Sequence, residues 1–255
     1  AYYYTETEKV YLNSDSSKMF YSDLYEQKIR NVLEIDLSNF DTSKVTNMSN
    51  MFLGMSNLTS LNLSNFDTSQ VTNMSSMFGF MSNLTSLNLS NFDTSQVTNM
   101  AGMFFNILLL TTLDFSSFNT SKVTSMSNMF NNMPSLTTLD LSSFDTSNVT
   151  DMRYMFFSMS NLTTLDLSNF NTSQVTNMNG MFSLPDMWAS NDKLEKIYVN
   201  NDFNTSKLTT FSNMFSNRKK LRGGNGSYLT DPSTADKSWL RVDRPGVQGY
   251  FTKKS

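Results

Sequence analysis

The sequence predicts an α/β fold. We expect a right-handed solenoid of about seven coils, with a parallel β-sheet on one side, helices on the other and a cap at each end. Three observations support this prediction: a repeat with a constant 26-residue step, two different apolar spacings within each repeat, and a composition rich in Met and Phe. A unit of this length cannot bury its own apolar side, so stacked neighbours must form the core.

The repeat is clearest in the phrase that begins at Phe40, Phe-Asp-Thr-Ser-Lys-Val-Thr-Asn-Met. Its period lies in the range of leucine-rich repeats. A seventh copy begins at Phe203 after a step of 33, because seven residues are inserted, mostly within 183–190. Met19-Phe20 matches the later Met-Phe pairs and indicates a partial N-terminal copy. The first Phe of the copies with the regular step stands at Phe40, Phe66, Phe92, Phe118, Phe144 and Phe170.

Each unit combines two apolar spacings, as the copy from residue 58 shows. Leu61 and Leu63 alternate with polar residues, as in a strand with one buried face. Short polar side chains at 67–69 are typical of a helix N-terminus. The apolar spacing then becomes three or four residues, at 71, 74, 77 and 81, which indicates a helical stripe. The unit is predicted to be strand, cap, helix and short loop.

Most of the 19 methionines are predicted to form core columns of the stacked units. Copper(I) binding by the Met-x-x-Met pairs is the functional alternative. The chain has no Cys and no His, which excludes disulfides, thiol nucleophiles, Ser-His-Asp triads and structural zinc sites. We therefore expect a protein that is not an enzyme and has no cofactor and no metal site. The columns are Met48, Met74, Met100, Met126, Met152 and Met178; Met51, Met77, Met103, Met129, Met155, Met181 and Met214; and Met55, Met81, Ile107, Met133 and Met159.

The predicted organisation has three parts. Residues 1–30 are expected to form an N-terminal cap with a partial repeat, 31–221 the repeat solenoid, and 222–255 a C-terminal cap. No apolar run is long enough to cross a membrane.

The outward positions of the predicted sheet form a polar column, our main candidate for a ligand surface. It is poor in the Trp, Tyr and Arg anchors of tight protein interfaces and suits hydrogen bonding to glycan hydroxyls, or it is a solvated sheet face. Neighbouring carboxylates in it leave calcium open as an alternative; a glycosidase pair is disfavoured because a flat sheet offers no pocket. The column runs from Asp36 to Tyr198, and its candidate ligand residues are Asn62, Asn88, Asp114, Asp140, Asp166 and Tyr198.

Two further candidates lie outside this column. Trp188 stands in the insertion, and insertions in repeat proteins commonly form binding loops; local packing is the alternative. Residues 207–255 hold 10 of the 19 lysines and arginines but 3 of the 22 acidic residues. The basic patch Lys219, Lys220 and Arg222 could meet an anionic polymer, or be merely solvated.

The phrase Leu-Asp-Leu-Ser-Asn-Phe-Asn-Thr-Ser-Gln-Val-Thr-Asn-Met at 165–178, followed by Met181-Phe182, resembles the repeat of BspA-like bacterial leucine-rich-repeat surface proteins, which occur in lactic-acid bacteria and mycoplasmas. The resemblance covers about residues 31–221, and 220–226 and 249–252 look like the segment that follows such repeats. The family often carries Cys in the column of Met55, where this chain has Met or Ile.

The resemblance implies a secreted or cell-surface bacterial adhesin, anchored by segments outside this chain. Its expected partners are extracellular-matrix, mucin or epithelial ligands of a host, or other bacteria. We expect a monomer without nucleic-acid binding. A structural stalk that presents another domain is the main alternative, and binding to ice or a surface lattice through the Ser/Thr columns is a weaker one.

Overall fold

The computed structural model describes residues 9–22 and 32–255. Within them the hydrogen-bonded strands are short: β1 Val10–Tyr11, β2 Phe40–Asp41, β3 Thr164–Asp166, β4 Lys196–Val199 and β5 Phe251–Lys253. Three 3-10 helices occupy Asp186–Asn191, Pro232–Thr234 and Lys237–Trp239, and the described residues contain no α-helix. The predicted α/β leucine-rich-repeat solenoid, with helices on one side and a continuous sheet on the other, is therefore wrong.

The segments predicted to be helices are tight turns. We call them the Met-Phe segments, meaning residues 46–54 and their copies. Two residues in most copies have a positive φ, for example Asn50 at 57° and Gly54 at 81°, and the left-handed conformation interrupts any α-helix. The N–H groups of Met48 and Phe52 donate to carbonyls of the next copy, at 2.9 Å each, instead of to the fourth residue before them.

The predicted sheet is also largely absent. In the Leu segments, residues 58–66 and their copies, the chain has mostly no regular secondary structure and mostly lacks backbone pairing with its neighbours. Side chains instead form hydrogen bonds with the backbone N–H and C=O groups that strand pairing would use. The N–H of Ser64 donates to Oδ1 of Asn62 at 3.1 Å, and Nδ2 of Asn65 donates to the carbonyls of Leu37 and Phe40 at 2.9 Å. Polar side chains thus replace the predicted ladder.

The sheet that does form lies at the C-terminal end. β3, β4 and β5 are parallel and adjacent in that order. Their register aligns Leu165 with Ile197 and Ile197 with Phe251. A second parallel pair, β1 with β2, aligns Val10 with Phe40 at the other end.

Successive copies nevertheless stack in a constant register. Alternate N–H groups of one Met-Phe segment donate to the next: Asn50 to Ser75 at 2.8 Å and Gly54 to Gly79 at 2.8 Å. We call residues 9–22 and 32–221, joined in this way, the repeat stack. Parallel bridges link equivalent residues from copy to copy, in the order Asp15, Asn47, Asn73, Asn99, Ser125, Asp151, Asn177 and Thr210.

The predicted methionine columns are confirmed as core, since each of their members is at most 1% exposed. Beside them runs a column of phenylalanines whose neighbouring rings stack with centroids 5.1–6.0 Å apart and planes within 14°. Tyr250 continues this column, with its ring 4.7 Å from Phe215 and 4.7 Å from Trp239. The stacked rings are Phe20, Phe52, Phe78, Phe104, Phe130, Phe156, Phe182 and Phe215.

The predicted caps comprise the two ends of the chain. Most of the N-terminal cap prediction falls on residues 1–8 and 23–31, which lie outside the described residues. Residues 9–22 join the stack, with the Phe20 N–H donating to Met51 at 2.9 Å. Residues 222–255, the C-terminal segment, pack on the last copy through β5 and Tyr250. The domain boundaries at 30 and 221 stay predictions.

Candidate functional site

The polar column is brought together as a surface row by the stacking of the Leu segments. Asn62, Asn88, Asp114 and Asp140 are exposed, and Asp166 is half-buried. Each accepts a hydrogen bond through Oδ1 from the N–H of the serine two residues later, at 2.9–3.1 Å. These side chains therefore shape turns of their own copy as well as facing solvent.

The carboxylates of the column are held in their charged form. Hydrogen bonds from Ser116 and Ser142 lower the pKa values of Asp114 and Asp140 below the ordinary 3.8. At Asp140 burial and the neighbouring carboxylates act in the opposite direction without reversing the pKa shift. A hydrogen-bonded carboxylate at neutral pH accepts hydrogen bonds but cannot act as a general acid.

The C-terminal end of the column is covered by the chain itself. Asp166 and Tyr198 are register partners in β3 and β4, and Tyr198 is half-buried. Nζ of Lys254 lies 2.6 Å from Oδ2 of Asp166 and 3.2 Å from the Ser168 hydroxyl. Burial raises the pKa of Asp166, but the bonds from Lys254 and Ser168 outweigh it and leave the pKa lowered. The open part of the column thus runs from Asn62 to Asp140.

The residues described contain no group of three acidic side chains placed to hold a metal ion. The calcium alternative for the Asp column therefore has no support in the geometry.

Trp188 belongs to a different part of the surface. It lies in the 3-10 helix Asp186–Asn191 and is 42% exposed, beside Met187, which is 78% exposed. Asp186 accepts a hydrogen bond from Asn217 at 2.9 Å, which ties the insertion to the last copy. Trp188 thus stands on the inserted segment and not in the row of Leu segments.

The predicted basic patch is only partly available to a ligand. Lys219 and Lys220 are exposed. Nη1 of Arg222 donates to the carbonyls of Lys219 and Leu221, at 2.8 and 2.9 Å, and its guanidinium lies 4.3 Å from the Tyr228 ring centroid. Arg222 is therefore committed to local packing.

Sequence reasoning missed a buried ion pair behind the insertion. Arg218 and Asp192 are each about 1% exposed, with Nη1 2.9 Å from Oδ1. The guanidinium also donates to the carbonyls of Phe182 and Met159. Burial lowers the pKa of Arg218 while Asp192 opposes it, and arginine stays charged. The signal was present: Arg218 stands four residues after Met214, where five earlier copies carry Met or Ile.

A second feature missed in the sequence is a pair of concavities on either side of the turn at 200–202. One, about 230 Å³, lies against the Leu segment of β3 and is lined by residues of 167–172 and 199–204. The other, about 770 Å³ and open to solvent, lies against the C-terminal segment and is lined by 200–202, 224–225, 242–245 and 252–253. We call the larger one the C-terminal groove. Its residues come from four separate stretches, so no local motif could predict it.

Among the helices of the described residues, none has the length and apolar character of a membrane span.

Comparison with known proteins places the repeat stack in one family. The family model described as "Mycoplasma protein of unknown function, DUF285" matches residues 14–133 and again 109–222. The two overlapping matches cover residues 14–222, well over half of the 255 residues. No curated protein and no solved structure matches the chain. The chain therefore belongs to the DUF285 family of Mycoplasma-type proteins of unknown function.

Proposed function

We propose that the chain is a non-enzymatic adhesion module of a BspA-like bacterial surface protein, secreted or displayed on the cell. Its ligands would be host matrix proteins, mucin, epithelial surface groups or other bacteria, bound by a monomer. The observation that carries this proposal is the open polar row, in which equivalent exposed side chains recur from Asn62 to Asp140. A row of this kind offers many weak contacts to a repetitive ligand, and linked weak contacts add up to strong attachment.

The chemistry of the surface supports a binding role over catalysis. The sequence has neither Cys nor His. The open row contains two neighbouring carboxylates, Asp114 and Asp140. Both are exposed, and both have lowered pKa values. A glycosidase acid needs a raised pKa in a site that excludes water.

A structural stalk is the second candidate, and one observation favours it. The Oδ1 atoms of Asn88 and Asp114 are used by their own turns, at 3.0 and 2.9 Å from serine N–H groups. The column residues would then recur because each copy needs its turn, and the surface would have no ligand.

The two candidates differ in what happens when the row is blocked. The exposed threonines Thr112 and Thr138 flank the column. The variant Thr112→Arg/Thr138→Arg adds bulk and charge to the row. A matched control, Asn13→Arg/Asn83→Arg, adds the same groups at exposed positions outside the row whose side chains make no hydrogen bond among the described residues.

Binding of the purified chain to immobilised mucin, matrix proteins and intact bacteria measures the difference. Adhesion predicts binding by the wild type and the control, and at least a tenfold loss for the row variant. Absence of binding by the wild type to every surface would reject adhesion, and equal display of a fused reporter by all three proteins would then favour the stalk.

A further inference from the structure

We propose that the C-terminal groove binds a short segment of an uncharged oligosaccharide. This inference rests on the proposed adhesive function and specifies a ligand class and a site for it. The groove is open and about 770 Å³ in volume, within the range of known ligand sites of roughly 300–1,000 Å³. An open polar trough of this size accommodates an extended ligand better than a compact apolar one.

One wall of the groove is held by an ion pair. Arg244 donates to both carboxylate oxygens of Asp202, at 2.9 and 3.0 Å. Asp202 also accepts the N–H of Val242 at 2.9 Å. The bond from Arg244 is the main reason that the pKa of Asp202 is lowered. The wall is thus already ordered before a ligand arrives, which reduces the entropy cost of binding.

A second part of the lining is equally tied down. Oδ2 of the buried Asp243 accepts the N–H groups of Asn225 and Ser227 at 2.7 and 3.0 Å. Its Oδ1 accepts the Ser227 hydroxyl at 2.7 Å. Gly223 lies so close that an added Cβ would sit 2.2 Å from the carbonyl oxygen of Gly249, so only glycine fits there.

The side chains facing the groove include amides that nothing in the described structure uses. The side-chain amides of Asn200, Asn201 and Asn225 have no hydrogen-bond partner among the described residues, and all three are exposed. By contrast, Asn65 and Asn169 insert their amides between backbone carbonyls of the repeat stack. Each free amide offers two donors and an acceptor, the complement of sugar hydroxyls.

The charges of the groove argue against an anionic ligand. Its two basic residues are engaged, Arg244 with Asp202 and Lys253 with the carbonyl of Asn200. Asp202 and Asp243 balance them, so the lining is formally neutral. Sialylated, sulfated or phosphorylated polymers would therefore meet no net positive charge in the lining.

The groove is also a poor site for a peptide. Its aliphatic lining is limited to Val242, which is buried, and Pro245. It contains no aromatic side chain of the kind that anchors protein partners. Free amides and a formally neutral set of charges remain, and these favour a ligand rich in hydroxyl groups.

The test uses the full chain and two probes: neutral O-glycans released from gastric mucin, and a printed array of neutral, sialylated and sulfated oligosaccharides. We expect binding to neutral glycans. The variant Asn201→Ala/Asn225→Ala removes two free amides and no internal hydrogen bond of a side chain, so it should fold normally. Its affinity should fall by about tenfold or more, since each lost hydrogen bond contributes about 1 kcal/mol. Backbone and side-chain amide NMR shifts should move at 200–202 and 225 in the wild type.

The variant Asn13→Ala/Asn83→Ala is the matched comparison, because it removes two exposed amides that lie outside the row and the groove and have no side-chain hydrogen bond among the described residues. It should bind the neutral glycans as the wild type does. Unchanged affinity of the Asn201→Ala/Asn225→Ala variant overturns the proposal, as does a signal confined to sialylated or sulfated glycans. If the wild type binds matrix proteins or bacteria but no neutral glycan, the groove proposal fails and adhesion stands. If it binds none of these surfaces, both fail.

Discussion

At the scale of single residues, one buried hydroxyl in each copy joins neighbouring copies. The Thr94 side chain donates to the carbonyl of Asn119 at 2.9 Å and accepts the N–H of the same residue at 2.8 Å. The hydroxyl thus satisfies both backbone groups at a position where no ladder does so. The equivalent threonines, all at most 3% exposed, are Thr42, Thr68, Thr120, Thr146 and Thr172.

Replacing Thr94 by valine should lower the free energy of unfolding by about 1–2 kcal/mol, because the shape is kept while a backbone donor and acceptor lose their partner. Chemical denaturation measures the change. Thr98→Val is the matched control: Thr98 is exposed and its hydroxyl only supplements a backbone bond to Thr72. Equal losses in both variants would contradict the role assigned to the buried hydroxyl.

At the scale of the element, the Met-Phe segments show which part of the structure the sequence could predict. Their apolar spacing correctly indicated which side chains are buried, since Met74, Met77 and Phe78 are 0% exposed. The spacing did not indicate the backbone conformation, because a tight turn with left-handed residues buries the same positions as a helix. Asn50 and Gly54 were the available signals, as Asn and Gly tolerate positive φ, but Phe80 at 57° gives no such warning.

The two candidate surfaces also differ in whether the sequence could predict them. The polar row was predictable because its members recur every 26 residues. The C-terminal groove was not, because contacts such as that of Arg244 with Asp202 join residues 42 positions apart with no period to reveal them.

The inserted element depends on its buried ion pair. Arg218→Met restores the residue type of the column but leaves the carboxylate of Asp192 buried without its partner. We expect the free energy of unfolding to fall by about 3–5 kcal/mol, as measured by chemical denaturation.

The double variant Arg218→Met/Asp192→Asn removes the orphaned charge and keeps one acceptor oxygen at residue 192. The N–H groups of Leu194 and Lys220 donate to Oδ1 and Oδ2 of Asp192 at 3.2 Å each, so one of these two bonds is retained. It should be more stable than the single variant. A double variant no better than the single one would mean that the pair contributes by packing and not by charge.

At the scale of the whole molecule, the stability of the folded state should fall at acid pH. Hydrogen bonds from nearby serines lower the pKa values of Asp93, Asp114 and Asp140 below 3.8. A carboxyl whose pKa is lower in the folded state adds stability that is complete above its unfolded pKa and is lost as pH falls through the folded value. The Tm should therefore be nearly constant above about pH 5 and should fall progressively below about pH 4.

The matched variant Asp93→Asn/Asp114→Asn/Asp140→Asn keeps each Oδ1 acceptor, as the equivalent Asn119 and Asn88 do. Its Tm should fall less steeply between about pH 4 and pH 2.5, as followed by circular dichroism. An acid slope equal to that of the wild type would place the pH dependence elsewhere in the molecule.

The hydrogen bonds between copies have a mechanical consequence. They join residues of adjacent copies, such as Asn50 and Ser75, and so lie along the length of the stack. A pull on the two ends of the chain concentrates the load on the edge bonds of a terminal copy, which separates from its neighbour before the inner copies do. The molecule would lengthen by releasing copies one after another, and each release would dissipate work while the remaining surface kept its shape.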